Sequence, residues 1–345
     1  MHAMKKLNLA VNGLGRIGRC ILRAYFENIE DYQDYLNIVV VNAGTPCISD
    51  RIHSLAYDSV HGRFDKKIEI LTDDTFRIDN SSIKMIFERD IAKINWRDFD
   101  IDIVLECTGS FTKNSMSHTH LDSGAKKVIV SAPYNDADTT IVLGANEELL
   151  DARHRVISIG SCTTNCLAPI AKILDTAFGI ESGFMTTIHS YTNDQLILDG
   201  RHNDQRRSRA AALSMIPTST GAAKAIGEVL PALHGKLGGA AIRVPTANVS
   251  MIDFKFTSKV DISEYAINNA LSKYSNEIAN IISVSDVELV SCDFNHTRYS
   301  AIFDTTLTKV VNNNFCRVVA WYDNEWGFSN RMLDVSKKFL NKVMR

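Results

Sequence analysis

The sequence contains no stretch approaching the ~20 consecutive apolar residues of a membrane-spanning helix, so no segment of it reads as a transmembrane span. It also lacks an excess of either charge. With 38 Lys and Arg against 40 Asp and Glu, and a net charge of −2, there is no electrostatic reason to expect nucleic acid or an anionic membrane as main partner. No internal repeat and no low-complexity tract is present. The opening MHAMKKLNLAVNGLG has two lysines but no apolar stretch fit for a signal peptide, because Asn8 and Asn12 interrupt it. Seven cysteines at irregular spacings, in a long chain without a secretory signal, are expected to be reduced thiols of a cytoplasmic protein. No metal is expected.

What is present suits a folded chain of about two domains. Its 345 residues are too many for one ordinary core, and 45% hydrophobic with 23% charged residues excludes disorder. KLNLAVN (6–12) reads as a short buried strand leading into a glycine turn and the helical RIGRCILRAYFENI. NIVVVN (37–42), β-type pieces at 67–71, 76–78 and 83–87, DIDIVLECTG (100–109) and KKVIVSAP (126–133) follow. Short apolar strands separated by helical stretches predict an α/β, doubly wound parallel sheet. After residue 161 the texture changes. TNCLAPIAKILDTAF is helical, GFMTTIHSYT is a strand, and 193–216 is a long Arg-rich loop. GGAAIRVPTANVSMIDFKFTS and NNFCRVVAWYD predict a mostly antiparallel sheet, and an amphipathic helix closes the chain at about 327–344. The expected domains are 1–161, rejoined by 325–345, and an α+β domain over 162–324. Cys162 falls at the seam, where active sites of two-domain enzymes commonly form.

VNGLGRIGR supplies Gly13, Gly15 and Gly18 as Gly-x-Gly-x-x-Gly directly after a strand and opening a helix. Glycines there permit a tight turn and let the backbone approach a pyrophosphate, which the helix N-terminus favours. Alone the motif could be a plain glycine turn. In its strand–turn–helix setting it predicts a Rossmann-type dinucleotide site. The acidic residue expected about 20 positions on, to hold the ribose 2′-OH, is missing: NIVVVNAGTPCIS (37–49) has no Asp or Glu, and Ala43 stands where a carboxylate would exclude a 2′-phosphate.

GSCTTNCLAPI (160–170) puts Cys162 at the expected start of a helix, where the dipole and free N–H groups lower a thiol pKa. Cys166, one turn deeper, reads as inert packing. His189, at the end of a Thr-rich strand, is the candidate base. A lone histidine is more often structural, but this one leads into the Arg-rich loop.

VNGLGRIGR, YDSVHGRF, ERD, SAP, SCTTNCLAP, HSYTNDQ, RRSRAAALSMIPTSTGAAKA, RVPTANVS and WYDNEWGFSNR resemble, in order and over nearly the whole chain, the phosphorylating glyceraldehyde-3-phosphate dehydrogenases. The resemblance implies attack of Cys162 on an aldehyde, with His189 taking the thiol proton, then hydride transfer to NAD or NADP and a thioester cleaved by inorganic phosphate. It implies that Thr192 and Arg243 hold the phosphate of glyceraldehyde 3-phosphate. Ser161, Thr163, Arg207, Thr220 and Gly221 would hold the attacking phosphate. Arg16, Ile17, Arg89, Ser131 and Asn324 match cofactor contacts, Asn324 facing the nicotinamide carboxamide. A homotetramer is implied, with no role for nucleic acid or membrane.

Three departures from the family pattern stand out. Ala43 replaces the usual Asp. Ile159-Gly160 replaces Asn-Ala before Ser161. Gly200-Arg201 replaces a pair that is commonly hydrophobic plus proline, in a loop the resemblance extends toward a neighbouring subunit's adenosine. Loss of an acid and gain of Arg201 both point to tolerance of NADP. The related erythrose-4-phosphate dehydrogenases are the alternative in chemistry; a cofactor-free Cys–His hydrolase and an inactive binding protein are the alternatives in class.

Overall fold

The computed structural model describes residues 6–111, 116–278 and 280–343. Two compact units emerge: Met1–Ile141 with Glu148–Gly160 and Ser329–Arg345, and Val142–Glu147 with Ser161–Phe328. The short excursion at Val142–Glu147 follows from packing, since Val142 and Ala145 bury their side chains in the core of the second unit.

The first unit holds a nine-stranded sheet in the order Thr139–Thr140, Val156–Ser158, Lys127–Val130, Ile103–Glu106, Leu7–Asn12, Leu36–Asn42, Ser81–Ile86, Thr75–Ile78, Ile68–Thr72. The pairs from Thr139–Thr140 to Ser81–Ile86 are parallel, and the last two pairings are antiparallel. Strands buried on both faces need near-continuous apolar runs, which Leu9, Ala10 and Val11 or Ile103, Val104 and Leu105 supply. From Leu7–Asn12 the chain winds first toward Leu36–Asn42 and later back to Ile103–Glu106. The order therefore reverses between Leu7–Asn12 and Ile103–Glu106, and the carboxyl ends of those two strands form the switch point where doubly wound sheets bind ligands.

The second unit has a seven-stranded mixed sheet: Ile216–Thr218, Leu237–Val244, Ile180–Ser190, Ser250–Ser258, Phe315–Tyr322, Ala301–Val311, Ile282–Ser285. Four of its pairings are antiparallel, whereas Ile180–Ser190 with Leu237–Val244 and Ile282–Ser285 with Ala301–Val311 are parallel. Along Ile180–Ser190 the side chains of Met185, Thr187 and His189 share the buried face by the two-residue period of a strand. The helix Cys162–Phe178 packs on this unit's core through Cys166, Leu167, Ile170 and Leu174, against Met185, Ile252, Phe254 and Val318. The Arg-rich segment carries a 3-10 turn at Ala211–Leu213 and a short strand at Ile216–Thr218. The last helix spans Trp326–Val343, so its expected end at residue 344 lies outside the described residues. No helix among the described residues is long and apolar enough to cross a membrane.

Candidate active site

In the first unit the glycine turn is dictated by space. A Cβ on Gly18 would lie 2.0 Å from the Gly13 carbonyl oxygen, and one on Gly13 (φ +98°) would strike Thr108 at 2.8 Å. Only glycine at both positions lets the turn close over the ends of the two central strands. Gly15 caps the helix Arg16–Glu27 without a side-chain bond, and Ile17 lies in its first turn, so first-turn N–H groups are not spent on a side-chain cap. These residues fit a dinucleotide pyrophosphate. The Arg16 guanidinium pairs with Asp58, which also accepts from the Val60 and His61 N–H groups at 2.9 and 3.0 Å. Ser131 follows Lys127–Val130 and donates its N–H to the Glu106 carbonyl at 3.0 Å. Ala43 ends Leu36–Asn42, with its N–H on the Ile86 carbonyl, and Arg89 is exposed beside Gly44.

In the second unit Ser161 is the N-cap of the helix Cys162–Phe178, its hydroxyl accepting from the Thr164 N–H at 3.1 Å. Gly160 precedes it at φ +67°, a left-handed conformation that favours glycine and gives the Gly160 departure a backbone reason. Cys162 is the first helical residue, and its Sγ lies 3.5 Å from His189 Nε2. The parallel pairing sets His189 opposite Arg243. His189 Nδ1 lies 2.7 Å and Arg243 Nη1 3.0 Å from the Ser190 carbonyl oxygen, and the two nitrogens are 2.5 Å apart. Nδ1 thus faces a carbonyl acceptor and a guanidinium donor together; the tautomer that donates to the Ser190 carbonyl is the one that leaves the Nε2 lone pair facing the thiol.

Burial, the largest influence, raises the Cys162 thiol, and the Arg243 cation works against it. Burial, followed by Arg243, pushes the His189 ring down to about 3. Each charged form alone is opposed, and a thiolate–imidazolium pair is the arrangement in which each charge supports the other. Arg243 Nε is buried without a partner, and no carboxylate pairs with this arginine among the described residues. A half-buried guanidinium in that condition is suited to an anion.

Arg207 is differently placed. It donates to Thr218 at 2.8 Å and is neutralised by Asp194 at 2.7 Å and Asp204 at 3.6 Å. Thr220 Oγ1 accepts from the Ala222 N–H at 3.2 Å, and Gly221 caps the helix Ala222–Val229. Thr192 contacts Gln195 through its N–H and hydroxyl at 2.9 and 3.3 Å. The Thr163 hydroxyl is buried on the Tyr322 hydroxyl at 2.9 Å, so its side chain is turned from solvent. Asn324 Oδ1 accepts from Ser190 and Ser250, each at 2.9 Å. Arg201 is exposed in the Arg-rich segment.

Tyr322 escaped sequence reasoning. Its hydroxyl joins Thr163 and Thr187, and its ring stands edge-on to His189 at 5.9 Å. Thr163 lies 159 residues away in the chain, so no local pattern could announce the contact.

A Rossmann-type sheet with its glycine turn, together with a separate unit carrying a Cys–His pair beside an unpaired arginine, defines a thiol-dependent, dinucleotide-linked oxidoreductase. Comparison with known proteins narrows this. Residues 7–114 match the NAD binding domain of glyceraldehyde 3-phosphate dehydrogenase, and 161–324 match its C-terminal domain. The chain is 49% identical over 331 residues to a glyceraldehyde-3-phosphate dehydrogenase of Xanthobacter flavus, covering 96% of this chain and 97% of the relative. It is 47% identical over 329 residues to the Pseudomonas aeruginosa enzyme, covering 95% and 96%. Against glyceraldehyde-3-phosphate dehydrogenase 2 of Bacillus subtilis it is 44% identical over 332 residues, covering 96% of each. The chain belongs to the glyceraldehyde-3-phosphate dehydrogenase family. It is a glycolytic, NAD(P)-dependent oxidoreductase acting on glyceraldehyde 3-phosphate and phosphate. Nothing in these matches favours erythrose 4-phosphate.

Proposed function

We propose that Cys162 is the nucleophile and His189 its proton acceptor in the oxidation of glyceraldehyde 3-phosphate to 1,3-bisphosphoglycerate. Sγ attacks the aldehyde carbon while Nε2 takes the thiol proton and returns it to the carbonyl oxygen, giving a thiohemiacetal. His189 then removes the hydroxyl proton as the C–H electron pair departs, leaving a thioester on Cys162. Bound NAD or NADP supplies the hydride acceptor, with the glycine turn and Arg16, Ile17, Arg89, Ser131 and Asn324 as its contacts. Asn324 spends its oxygen on two serines and so has its amide nitrogen to offer a carboxamide. A phosphate oxygen attacks the thioester, the Cys162 thiolate leaves, and the acyl phosphate is released. Arg243 with Thr192 holds the substrate phosphate. Arg207, Ser161, Thr163, Thr220 and Gly221 hold the attacking phosphate, Thr163 through its main-chain N–H.

The observation that carries this reading is the 3.5 Å approach of Cys162 Sγ to His189 Nε2. Rapid mixing with aldehyde and NAD or NADP tests it. Without phosphate, one equivalent of reduced nicotinamide per site should form quickly and then stop; phosphate should restore continuous turnover. Turnover indifferent to phosphate would count against the thioester.

Residues 1–161 with 325–345 serve as the dinucleotide-binding domain and 162–324 as the catalytic domain. The chain assembles as a homotetramer, a reading supported by Ile197, Leu198, Leu213 and Met215, which stand 73 to 87% exposed along the Arg-rich segment. Light scattering of the purified protein checks that. Balanced charge and seven free cysteines support a cytoplasmic site of action.

A further inference from the structure

We infer that the first unit carries a built subsite for a 2′-phosphate, made by Arg51 and Thr45 with Arg89, and that NADP is therefore recognised by attraction and not merely tolerated. The inference rests on the dinucleotide reading above and assigns a residue, Arg51, that the glycine fingerprint does not predict.

The turn after Leu36–Asn42 is where a doubly wound sheet presents the group that reads the ribose 2′ position. Here it reads Ala43, Gly44, Thr45, with no carboxylate. Gly44 takes φ +70°, and its N–H is held by Asn42 Oδ1 at 3.1 Å, so the turn has a fixed shape. From the helix Ile48–Ala56, Arg51 reaches back and donates an Nη–H to the Thr45 hydroxyl. Its Nε is buried and has no hydrogen-bond partner, although Nε–H is one of the donors of the guanidinium fork. Arg89 Cγ lies 3.8 Å from where a Cβ on Gly44 would sit. Among the described residues neither Arg51 nor Arg89 is ion-paired, whereas Arg16, close by in the sequence of the glycine turn, is neutralised by Asp58.

Two arginines without ion pairs among the described residues, and a hydroxyl, thus stand at a turn that has no acid. An orphaned Nε–H costs free energy unless a ligand satisfies it. A phosphate, with nearly two negative charges and acceptor oxygens, satisfies the fork and the hydroxyl together. A bare ribose 2′-OH leaves most of those donors unused.

The test uses the full-length protein and nucleotide fragments that cannot react. Calorimetry would compare adenosine 2′,5′-bisphosphate with adenosine 5′-monophosphate at fixed ionic strength. Wild type should bind the bisphosphate about tenfold tighter or better, the size expected of a charge-assisted contact. Arg51→Met should erase most of that preference and leave monophosphate affinity unchanged. Ala43→Asp, a change at a half-buried turn position that leaves Arg51 in place, should erase it as well. Equal affinity of wild type for both fragments overturns the subsite. So does a preference that survives Arg51→Met but falls with Arg201→Ala, and so does equal weakening of both fragments by Arg51→Met. Failure of wild type to bind either fragment would go further and remove the dinucleotide site itself.

Discussion

Cys162 Sγ and His189 Nε2 lie 3.5 Å apart although 27 residues separate them in the chain. The first sits on a helix start and the second at a strand end, and the helix packs on the face of the sheet to which the strand turns His189. On the proposed reading His189 accepts the proton of this half-buried thiol. Replacing His189 by Asn should move the alkylation of Cys162 by iodoacetamide to higher pH. The thiol would then have to lose its proton outright, against a burial that already raises it. An unchanged pH profile would show that His189 is not the partner.

The same ring makes folding sensitive to acid. Its pKa is depressed in the folded chain from 6.5 to about 3, so between those values the unfolded chain takes a proton that the folded chain refuses. The stability contributed is complete above about pH 6.5 and is lost as pH falls toward 3. Urea midpoints measured across this window should fall less steeply for His189→Asn than for wild type.

Cys162→Ser should abolish turnover while fold and nucleotide binding persist, because a hydroxyl is almost wholly protonated at neutral pH. Cys166 is fully buried in the core of the second unit, with no exposure of its own. Cys166→Ser should retain catalysis and cost about 1 to 3 kcal/mol for an unpaired buried hydroxyl. Activity surviving in Cys162→Ser and lost in Cys166→Ser would reverse the assignment.

The two arginines should separate the two phosphates. Arg243, half-buried and without a carboxylate partner among the described residues, should on change to Ala raise KM for glyceraldehyde 3-phosphate. Arg207, already held by Asp194 and Asp204, should on change to Ala raise KM for inorganic phosphate. Asp194→Asn frees part of the Arg207 charge and should lower that second KM. Steady-state kinetics with each ligand varied in turn reads all three, and equal effects on both ligands would defeat the division.

The elements that carry the chemistry were legible because each has a local signature. The glycine turn announces itself through its Gly-x-Gly-x-x-Gly spacing between a strand and a helix, and the helix at Cys162 through the helical stretch TNCLAPIAKILDTAF. The mixed character of the second sheet was less so: two strand pairs run parallel because crossovers intervene between them, and strand patterns do not record partners. Arg51 and Tyr322 were invisible for the same reason. An arginine on an ordinary helix and a tyrosine in an ordinary strand acquire meaning only from residues the fold brings beside them. Arg207 was legible as a basic residue of the loop, yet its neutralisation by Asp194 depends on a pairing that composition averages away.

Glu106 offers a test of how the first unit holds its binding turns. Its carboxylate is buried at the end of Ile103–Glu106. It accepts from Asn12 Nδ2 at 2.6 Å and His120 Nε2 at 3.0 Å, and from the Thr108 N–H and hydroxyl at 2.7 and 2.5 Å. Trp96 donates its indole N–H to His120 Nδ1 at 3.1 Å, which puts the histidine's own proton on Nε2, aimed at the carboxylate. Asn12 Oδ1 in turn accepts from Asn42 at 2.7 Å, and Asn42 Oδ1 holds the N–H groups of Gly44 and Glu88, each at 3.1 Å. Glu106 therefore anchors both the strand leading into the glycine turn and the turn carrying Ala43. Glu106→Gln preserves size but replaces one acceptor oxygen with a donor, which must face either Asn12 and His120 or Thr108. Buried donors left opposing each other should cost about 1 to 3 kcal/mol, the penalty of a buried donor without its acceptor. Urea denaturation should show that loss, and calorimetry should show weakened binding of adenosine 5′-monophosphate in the folded variant, since the Gly44 turn loses its support. A variant with the wild-type midpoint and wild-type affinity would mean that the turns hold their shape without the carboxylate.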